Sequence, residues 1–250
     1  MGEKTEEGVC LFHKKRGEKD LECGFFSPQS GLMYIKIVSA LKQSKLYLPL
    51  CSEARVYLNT TSVSSMYILK DVMVEKLHSN IVEDYDKISV FSLLAKALIY
   101  FGSYDQKSSY NLFVSAINAI DDGVNPYFVF AHTIEKFFVL QGISGDYDVC
   151  PHCEREYEKD EVLGYSREHN YSCCEKDANI LNVLSPNLRK YLSEKQSTNI
   201  DALLRDENND VNIYRFAAFE CFRLSVLNSR YFKDTESFLK SMRQYRGGVS

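Results

Sequence analysis

The sequence predicts an α+β protein in which a small β-barrel, residues 1–79, precedes an α-helical domain, residues 80–250. In the first part, short apolar runs alternate at period two, and no segment of helix length lies among them. In the second part, apolar side chains recur at helical spacing over long segments. A cluster of cysteines at about residues 148–177 interrupts these helices and predicts an inserted cysteine element.

The N-terminal part contains five or six short candidate strands. Five of them lie at residues 9–12, 21–25, 32–38, 54–58 and 66–74. Ala54, Val56 and Leu58 alternate with polar side chains, which is typical of a half-buried antiparallel strand. Several short strands within one segment predict a small barrel. The pattern alone leaves an SH3-like barrel open as an alternative.

Several segments of the second part have the spacing of amphipathic helices. They lie at residues 84–101, 104–120, 125–140, from 185 onward, and 211–228. Asn125 followed by Pro126 predicts a helix start, because asparagine caps free amide groups and proline fits the first turn. Gly102 and Gly142 predict helix ends. The apolar stripes of these helices are predicted to form the core and not to line a cofactor site.

Composition and motifs argue against several classes of protein. No apolar run reaches the roughly 18–20 residues that span a bilayer. The opening sequence MGEKTEEG lacks the apolar core of a secretory signal, so we expect a cytoplasmic location and no membrane partner. The GxSxG, GxGxxG, HExxH and P-loop motifs are absent from the sequence, and we therefore expect no enzyme activity.

Four of the eight cysteines are clustered. Cys150 and Cys153 have CxxC spacing, which suits one side of a tetrahedral zinc site, and the adjacent pair Cys173-Cys174 follows after 19 residues. Neighbouring residues of an extended strand point opposite ways, so both members of the pair can bind one ion only if the chain turns there. We expect a structural zinc ion with these four residues as candidate ligands, held by Cys150, Cys153 and at least one of Cys173 and Cys174. The candidate substitute ligands are His152 and His169.

The cysteine cluster has three other interpretations besides a zinc site. Thiols that pack as small apolar groups without a metal stay open as an alternative. A redox CxxC lacks the βαβ context of such proteins. A zinc deaminase needs an HxE motif, whereas His132 is followed by threonine and isoleucine. The remaining four cysteines lie in apolar patterns and are predicted to be buried: Cys10, Cys23, Cys51 and Cys221.

Several sequence pieces occur in a specific order along the chain. They are the opening EGVCLFHKKRGEKD strand and turn, an apolar helix that ends at Gly142 eight residues before Cys150, and Leu184-Ser185-Pro186 after the cysteine element. In this order and spacing the chain resembles the RecO family of bacterial DNA repair proteins along essentially its whole length. It departs from that pattern at Cys173-Cys174, where the family has a second CxxC.

The resemblance implies an OB-fold at the N-terminus and a zinc-finger-like insertion in the helical domain. RecO-like proteins bind single- and double-stranded DNA, anneal complementary strands, and act with RecR to load RecA onto DNA coated with single-strand-binding protein. They have no catalytic residues. The resemblance therefore implies a nucleoid-associated recombination mediator. The alternative function is a zinc-bearing RNA- or ribosome-binding adaptor built on the same kind of barrel.

Local charge places the predicted DNA-binding site on the barrel. Between residues 11 and 45 there are seven basic and three acidic side chains, although the whole chain has a net charge of −4. The predicted DNA contacts are Lys14, Lys15, Arg16, Lys42 and Lys45.

The resemblance to RecO proteins also implies that the helical domain docks the acidic C-terminal tail of single-strand-binding protein. Such a peptide requires an apolar groove with cations at its rim. His132 and Lys136 are one turn apart on one predicted helix. Arg215 and Arg223 are about two turns apart on another, so they are predicted to share a face.

Overall fold

The computed structural model describes residues 2–41, 46–60, 66–205, 212–235 and 238. The chain forms two compact units, Met1–Asp122 and Gly123–Ser250. The predicted boundary near residue 80 marks the change from strands to helices, and the division by packing falls later in the chain. Among the described helices, none has both the length and the hydropathy needed to cross a membrane.

The first unit contains a closed barrel of five strands in the order β1-β2-β3-β5-β4. The strands are β1 Glu3–Arg16, β2 Asp20–Ser27, β3 Gly31–Ile37, β4 Ser52–Thr60 and β5 Tyr67–Leu77. All neighbours are antiparallel except β3 and β5, which pair in parallel, and β1 closes the barrel by pairing with β4. The predicted strand segments are confirmed, and the architecture is compatible with an OB-like fold.

The inside of the barrel is apolar because alternate residues of each strand point inward. In β4, for example, Ala54, Val56 and Leu58 are buried while the residues between them are partly exposed. The buried barrel core consists of Cys10, Cys23, Phe25, Met33, Ile35, Ile37, Leu48, Ala54, Val56, Leu58 and Leu69. The predicted burial of Cys10, Cys23 and Cys51 is confirmed, as is that of Cys221 in the second unit.

Three helices complete the first unit: α1 Ser79–Val82, α2 Tyr85–Phe101 and α3 Gln106–Asp121. The Asp84 side chain accepts hydrogen bonds from two amides at the start of α2, and Asp105 accepts one at the start of α3. Aspartate at this position satisfies amide groups that have no partner within the helix. Both predicted helices are therefore confirmed to within two residues at each end.

The second unit combines helices with a small sheet. The α-helices with described bounds are α4 Pro126–Leu140, α5 Pro186–Lys195, α6 Ile200–Arg205 and α7 Ile213–Leu227. Between α4 and α5 lies a three-stranded sheet in the order β7-β6-β8, formed by β6 Leu163–Ser166, β7 Tyr171–Cys173 and β8 Ile180–Leu184. Asn125 caps α4, as predicted. This sheet was not predicted from the sequence, because strands of three to five residues are too short to show a period.

Candidate metal centre and aromatic surface

A tight loop carries the two cysteines of the CxxC sequence. The Cys150 amide donates to the Arg155 carbonyl at 2.8 Å, and the Glu154 amide donates back to the Cys150 carbonyl at 2.9 Å. Glu154 has a left-handed backbone conformation, with φ at 58°. The chain therefore folds back on itself immediately after Cys153, which brings both thiols toward the same place.

The other side of this cluster comes from the turn that follows β7. Cys174 precedes a short 3₁₀ helix, Glu175–Asp177, and its Sγ lies 3.6 Å from Cys153 Sγ. The Asp177 carboxylate accepts from Cys174 Sγ at 3.0 Å and from Cys150 Sγ at 3.6 Å. The four ligand atoms, three sulfurs and one carboxylate oxygen, all lie within 4.8 Å of one another. This group could hold a metal ion.

The fourth member of the cluster is Asp177, whereas the sequence analysis assigned this place to Cys173. Cys173 is paired with Gly164 of β6 and is fully buried. Cys173 is the last residue of β7 and is not one of the four residues whose ligand atoms come together, whereas Cys174 lies in the turn after the strand. The sequence held a signal for the observed set, since Cys174 and Asp177 have the same spacing as the CxxC cysteines.

The surroundings shift the pKa values of two thiols of the cluster in opposite directions. Burial raises the pKa of the Cys150 thiol, but backbone amides of Cys174, Cys153 and His152 oppose this effect and leave the pKa lowered overall. Burial and the hydrogen bond to Asp177 raise the pKa of the Cys174 thiol to about 12. Backbone amides thus favour a thiolate at Cys150, while Cys174 keeps its proton until a cation replaces it.

The histidines named as substitute ligands lie beside the cluster and are not members of it. His152 Nε2 lies 3.4 Å from Asp177 Oδ1, and the His152 side chain is 56% exposed. The ring of His169 stacks between those of His152 and Tyr171, at centroid distances of 6.1 and 5.3 Å. The three rings form a row next to the cysteines, in which His152 and His169 are exposed and Tyr171 is half-buried.

A second candidate surface lies on the outer face of β1, β2 and β3. Phe12, Gly24 and Tyr34 are directly paired across these three strands, so they lie on one face. The Phe12 ring occupies the space above Gly24, where an added Cβ would lie 2.0 Å from a ring carbon. The Phe12 and Tyr34 ring centroids are 6.3 Å apart, and Tyr34 is 43% exposed. We call Phe12, Gly24 and Tyr34 the aromatic surface.

Three cationic side chains lie on the same strands as the aromatic surface. Each follows Phe12 or Tyr34 by two or four residues in the sequence. Lys14 is exposed and forms no ion pair with any described residue. Arg16 pairs with Glu22 at 2.7 Å, and Lys36 pairs with Asp20 at 2.7 Å. Lys14 is therefore the cation of this face with the fewest internal partners among the described residues.

The remaining predicted DNA contacts are placed elsewhere or lie outside the described residues. Lys15 is paired with Leu21 and so points to the opposite face of the strands from Lys14. Lys42 and Lys45 fall outside the ranges that the structure describes.

Two of the four residues predicted to dock a partner are buried. His132 is 2% exposed and lies 2.7 Å from the Tyr191 hydroxyl, and Arg223 is 1% exposed within a cluster of glutamates. The shared face predicted for Arg215 and Arg223 is wrong, since Arg215 is exposed. Eight residues along a helix amount to a rotation of about 80° beyond two full turns, which is enough to separate core from solvent.

Lys136 is half-buried and serves the end of a helix. Its ammonium group donates to the carbonyl oxygens of Lys195, at 3.3 Å, and Gln196. These carbonyls lie at the C-terminal end of α5, where the helix supplies no further amides, and the Thr198 amide also donates to the Lys195 carbonyl at 3.1 Å. Of the four residues, Arg215 is the one in the exposed class.

A second group of metal ligands lies inside the barrel, where the sequence analysis predicted only buried thiols. Cys10, His13 and Cys23 bring their ligand atoms within 4.8 Å of one another. A hydrogen bond from Cys10 lowers the pKa of the Cys23 thiol, burial opposes this, and His13 adds to it, so that the pKa falls to about 6. This group could also hold a metal ion.

Comparison with family models and with curated protein sequences identifies no relative. The chain matches no family model, and no curated protein sequence is significantly similar to it.

Proposed function

We propose that this chain is a non-enzymatic recombination mediator that binds single- and double-stranded DNA, anneals complementary strands, and acts with RecR in loading RecA. The observation that carries the proposal is the aromatic surface with Lys14 beside it. A five-stranded barrel compatible with an OB-like fold supports it, because OB-folds bind oligonucleotides on the outer face of strands 2 and 3. The resemblance to RecO proteins supports the specific role in DNA repair.

The aromatic surface has the features that single-stranded nucleic acid requires. Every base has an apolar face, so stacking on Phe12 or Tyr34 would be independent of sequence and contribute about 1–3 kcal/mol per base. Gly24 is necessary to this arrangement, because any larger residue would displace the Phe12 ring. Bases stacked on these rings would leave their pairing edges free for a complementary strand, as annealing requires.

The three neighbouring cations are not expected to contribute equally. Arg16 and Lys36 must each exchange a carboxylate at 2.7 Å for a phosphate, and this exchange reduces their net gain. Lys14 gives up no ion pair of the described residues when it meets a phosphate. Removing one cation that binds a phosphate should lower the slope of log affinity against log salt by about 0.7 for single strands.

Binding of a fluorescent oligonucleotide, followed by anisotropy, tests the surface. Tyr34→Ala should weaken binding roughly 5- to 150-fold, the equivalent of about 1–3 kcal/mol. Lys14→Glu should weaken binding to all sequences alike. Tyr104→Ala is the matched control, because Tyr104 is 82% exposed and lies outside the barrel strands, so affinity should not change.

A strand-annealing assay distinguishes the proposed function from the RNA- or ribosome-binding adaptor. Annealing of two complementary DNA oligonucleotides should be accelerated by the wild type and not by Tyr34→Ala. Unchanged DNA affinity in both Tyr34→Ala and Lys14→Glu would contradict the assigned surface. Preference for RNA without annealing of DNA would favour the RNA- or ribosome-binding adaptor.

The cysteine cluster is proposed to be a structural zinc centre with the ligands Cys150, Cys153, Cys174 and Asp177. Three soft sulfurs and one carboxylate oxygen form a set that zinc accepts, and four protein donors leave no open position for catalysis. Metal analysis of Cys174→Ser and Cys173→Ser tests the set, because the two residues are neighbours and only Cys174 belongs to it. Zinc lost from Cys173→Ser but kept by Cys174→Ser would restore the ligand predicted from the sequence.

The partner part of the proposal is the acidic C-terminal tail of single-strand-binding protein. His132 and Arg223 are buried and Lys136 is half-buried, so Arg215 is the one exposed candidate of the four. A fluorescent tail peptide should bind the wild type, with an affinity that falls as salt rises, and should bind Arg215→Glu more weakly. Absence of binding to the wild type at low salt would contradict this partner.

A further inference from the structure

Soft metal ligands meet inside the barrel, far along the chain from the cysteine element. Cys10 Sγ lies 3.4 Å from His13 Nε2, and the ligand atoms of Cys10, His13 and Cys23 are all within 4.8 Å of one another. Both cysteines are 0% exposed, and the imidazole is half-buried. Nothing in the proposed DNA-binding function uses these groups.

An irregularity in β1 brings the three side chains together. The pairing of β1 with β2 shifts between Cys10 and Phe12, so that Leu11 is an extra residue, as in a β-bulge. In a regular strand, residues three apart point to opposite faces. With the extra residue, Cys10 and His13 both point inward, and His13 is paired with Cys23 on β2.

We propose that Cys10, His13 and Cys23 form a second zinc site in the barrel interior. Two thiolates and one imidazole are ligands that Zn²⁺ prefers, and on binding each thiol releases its proton to solvent. The two negative charges balance the charge of the ion. The complex is therefore neutral, which suits a core where an isolated charge would be costly.

Three protein ligands leave one position of a tetrahedral ion to be filled. His13 Nε2 lies 2.8 Å from the Leu48 carbonyl oxygen, so a backbone oxygen is already beside the imidazole. The fourth ligand is this carbonyl or a water molecule that enters along the half-buried His13. The ion would tie β1 and β2 to the segment that leads into β4, and so stabilise the barrel.

Zinc stoichiometry of the full chain tests this site. In Cys153→Ser/Cys174→Ser, which removes two ligands of the cysteine cluster, one zinc equivalent per chain should remain in competition with a chromogenic chelator. A phosphine reductant keeps the thiols reduced. Adding Cys23→Ser or His13→Gln should abolish that equivalent. Cys51→Ser is the matched control, because Cys51 is a buried cysteine of the same unit outside the group.

Cobalt provides a second measurement that does not depend on the zinc assay. Co²⁺ added to Cys153→Ser/Cys174→Ser should give thiolate-to-metal charge-transfer absorption, which Cys23→Ser should lose while its circular dichroism stays unchanged. Binding of no metal by Cys153→Ser/Cys174→Ser would overturn the proposal. Retention of the zinc equivalent after both Cys23→Ser and His13→Gln would also overturn the proposal. Neither outcome bears on DNA binding by the aromatic surface.

Discussion

Arg223 is a charged side chain buried in the second unit, with 1% of its surface exposed. Its guanidinium forms ion pairs with Glu135 and Glu220 and lies 3.9 Å from the ring centroid of Phe138. Tyr147 donates its hydroxyl to the Glu135 carboxylate at 3.1 Å. Desolvation of the two glutamates is thus offset by one arginine and a neighbouring hydroxyl group.

Replacing Arg223 should be strongly destabilising. Arg223→Met leaves two carboxylates buried without a cation, and we expect a loss of about 3–5 kcal/mol in the free energy of unfolding. Urea denaturation measures this loss. The matched control is Arg215→Met on the same helix, which removes an exposed arginine and should change stability by less than about 0.5 kcal/mol. A small effect at Arg223 would mean that the glutamates bind protons instead.

His132 should make stability depend on pH. Burial, with the nearby charges of Lys136 and Lys195, lowers the pKa of His132 to about 3. The unfolded chain binds this proton near pH 6.5 and the folded chain does not. Stability should therefore fall as pH decreases from about 6.5 toward 3, by at most roughly 1.4 kcal/mol per pH unit from this group.

The difference in unfolding free energy between pH 7 and pH 5 measures the contribution of His132. His132→Gln can keep a hydrogen bond to Tyr191 and should reduce that difference. The exposed His169→Gln is the control and should leave it unchanged. An equal pH dependence in wild type and His132→Gln would show that His132 is not responsible.

The end of α5 depends on a side chain from α4. Lys136→Met removes the ammonium that the carbonyls of Lys195 and Gln196 accept from, and should destabilise the second unit by about 1–2 kcal/mol. Lys190→Met is the control, because Lys190 lies on α5 itself and is 73% exposed. Thermal unfolding of both variants checks the prediction, and equal melting temperatures would contradict it.

The elements that follow a regular period could be predicted from the sequence, whereas irregular ones could not. The alternation of Ala54, Val56 and Leu58 located β4, and the caps at Asn125 and Pro126 located α4. The bulge at Leu11 gives no such signal, although it decides that Phe12 points outward and His13 inward. The group of barrel ligands, Cys10, His13 and Cys23, was missed for this reason.

The cysteine cluster could be predicted only in part, for a related reason. The CxxC spacing identified Cys150 and Cys153 without any tertiary information. The choice between Cys173 and Cys174 depends on where β7 ends, and a strand of three residues cannot be located by periodicity. Once β7 is known to end at Cys173, the turn after it presents Cys174 and Asp177 together.

At the scale of the whole molecule, the two compact units should respond separately to loss of the cysteine cluster. Asp177→Asn removes the anionic oxygen donor with little change in size, so amide hydrogen exchange should accelerate in β6 and β7. Exchange in β1–β5 should stay as in the wild type, because these strands belong to the other unit. Asp201→Asn, an exposed aspartate on α6, is the control. Uniform acceleration in both units would contradict independent behaviour.

Thiol-specific reagents should modify one cysteine of this protein before the others. All eight cysteines lie within the described residues, and only Cys153 is exposed. A peroxide or a maleimide reagent therefore reaches this sulfur first, while the other seven are shielded by the fold. Exposure to air should damage the cysteine element before it affects the barrel thiols. Because only this thiol is exposed, a fluorescent dye can be attached at Cys153 without adding or removing a cysteine by mutation.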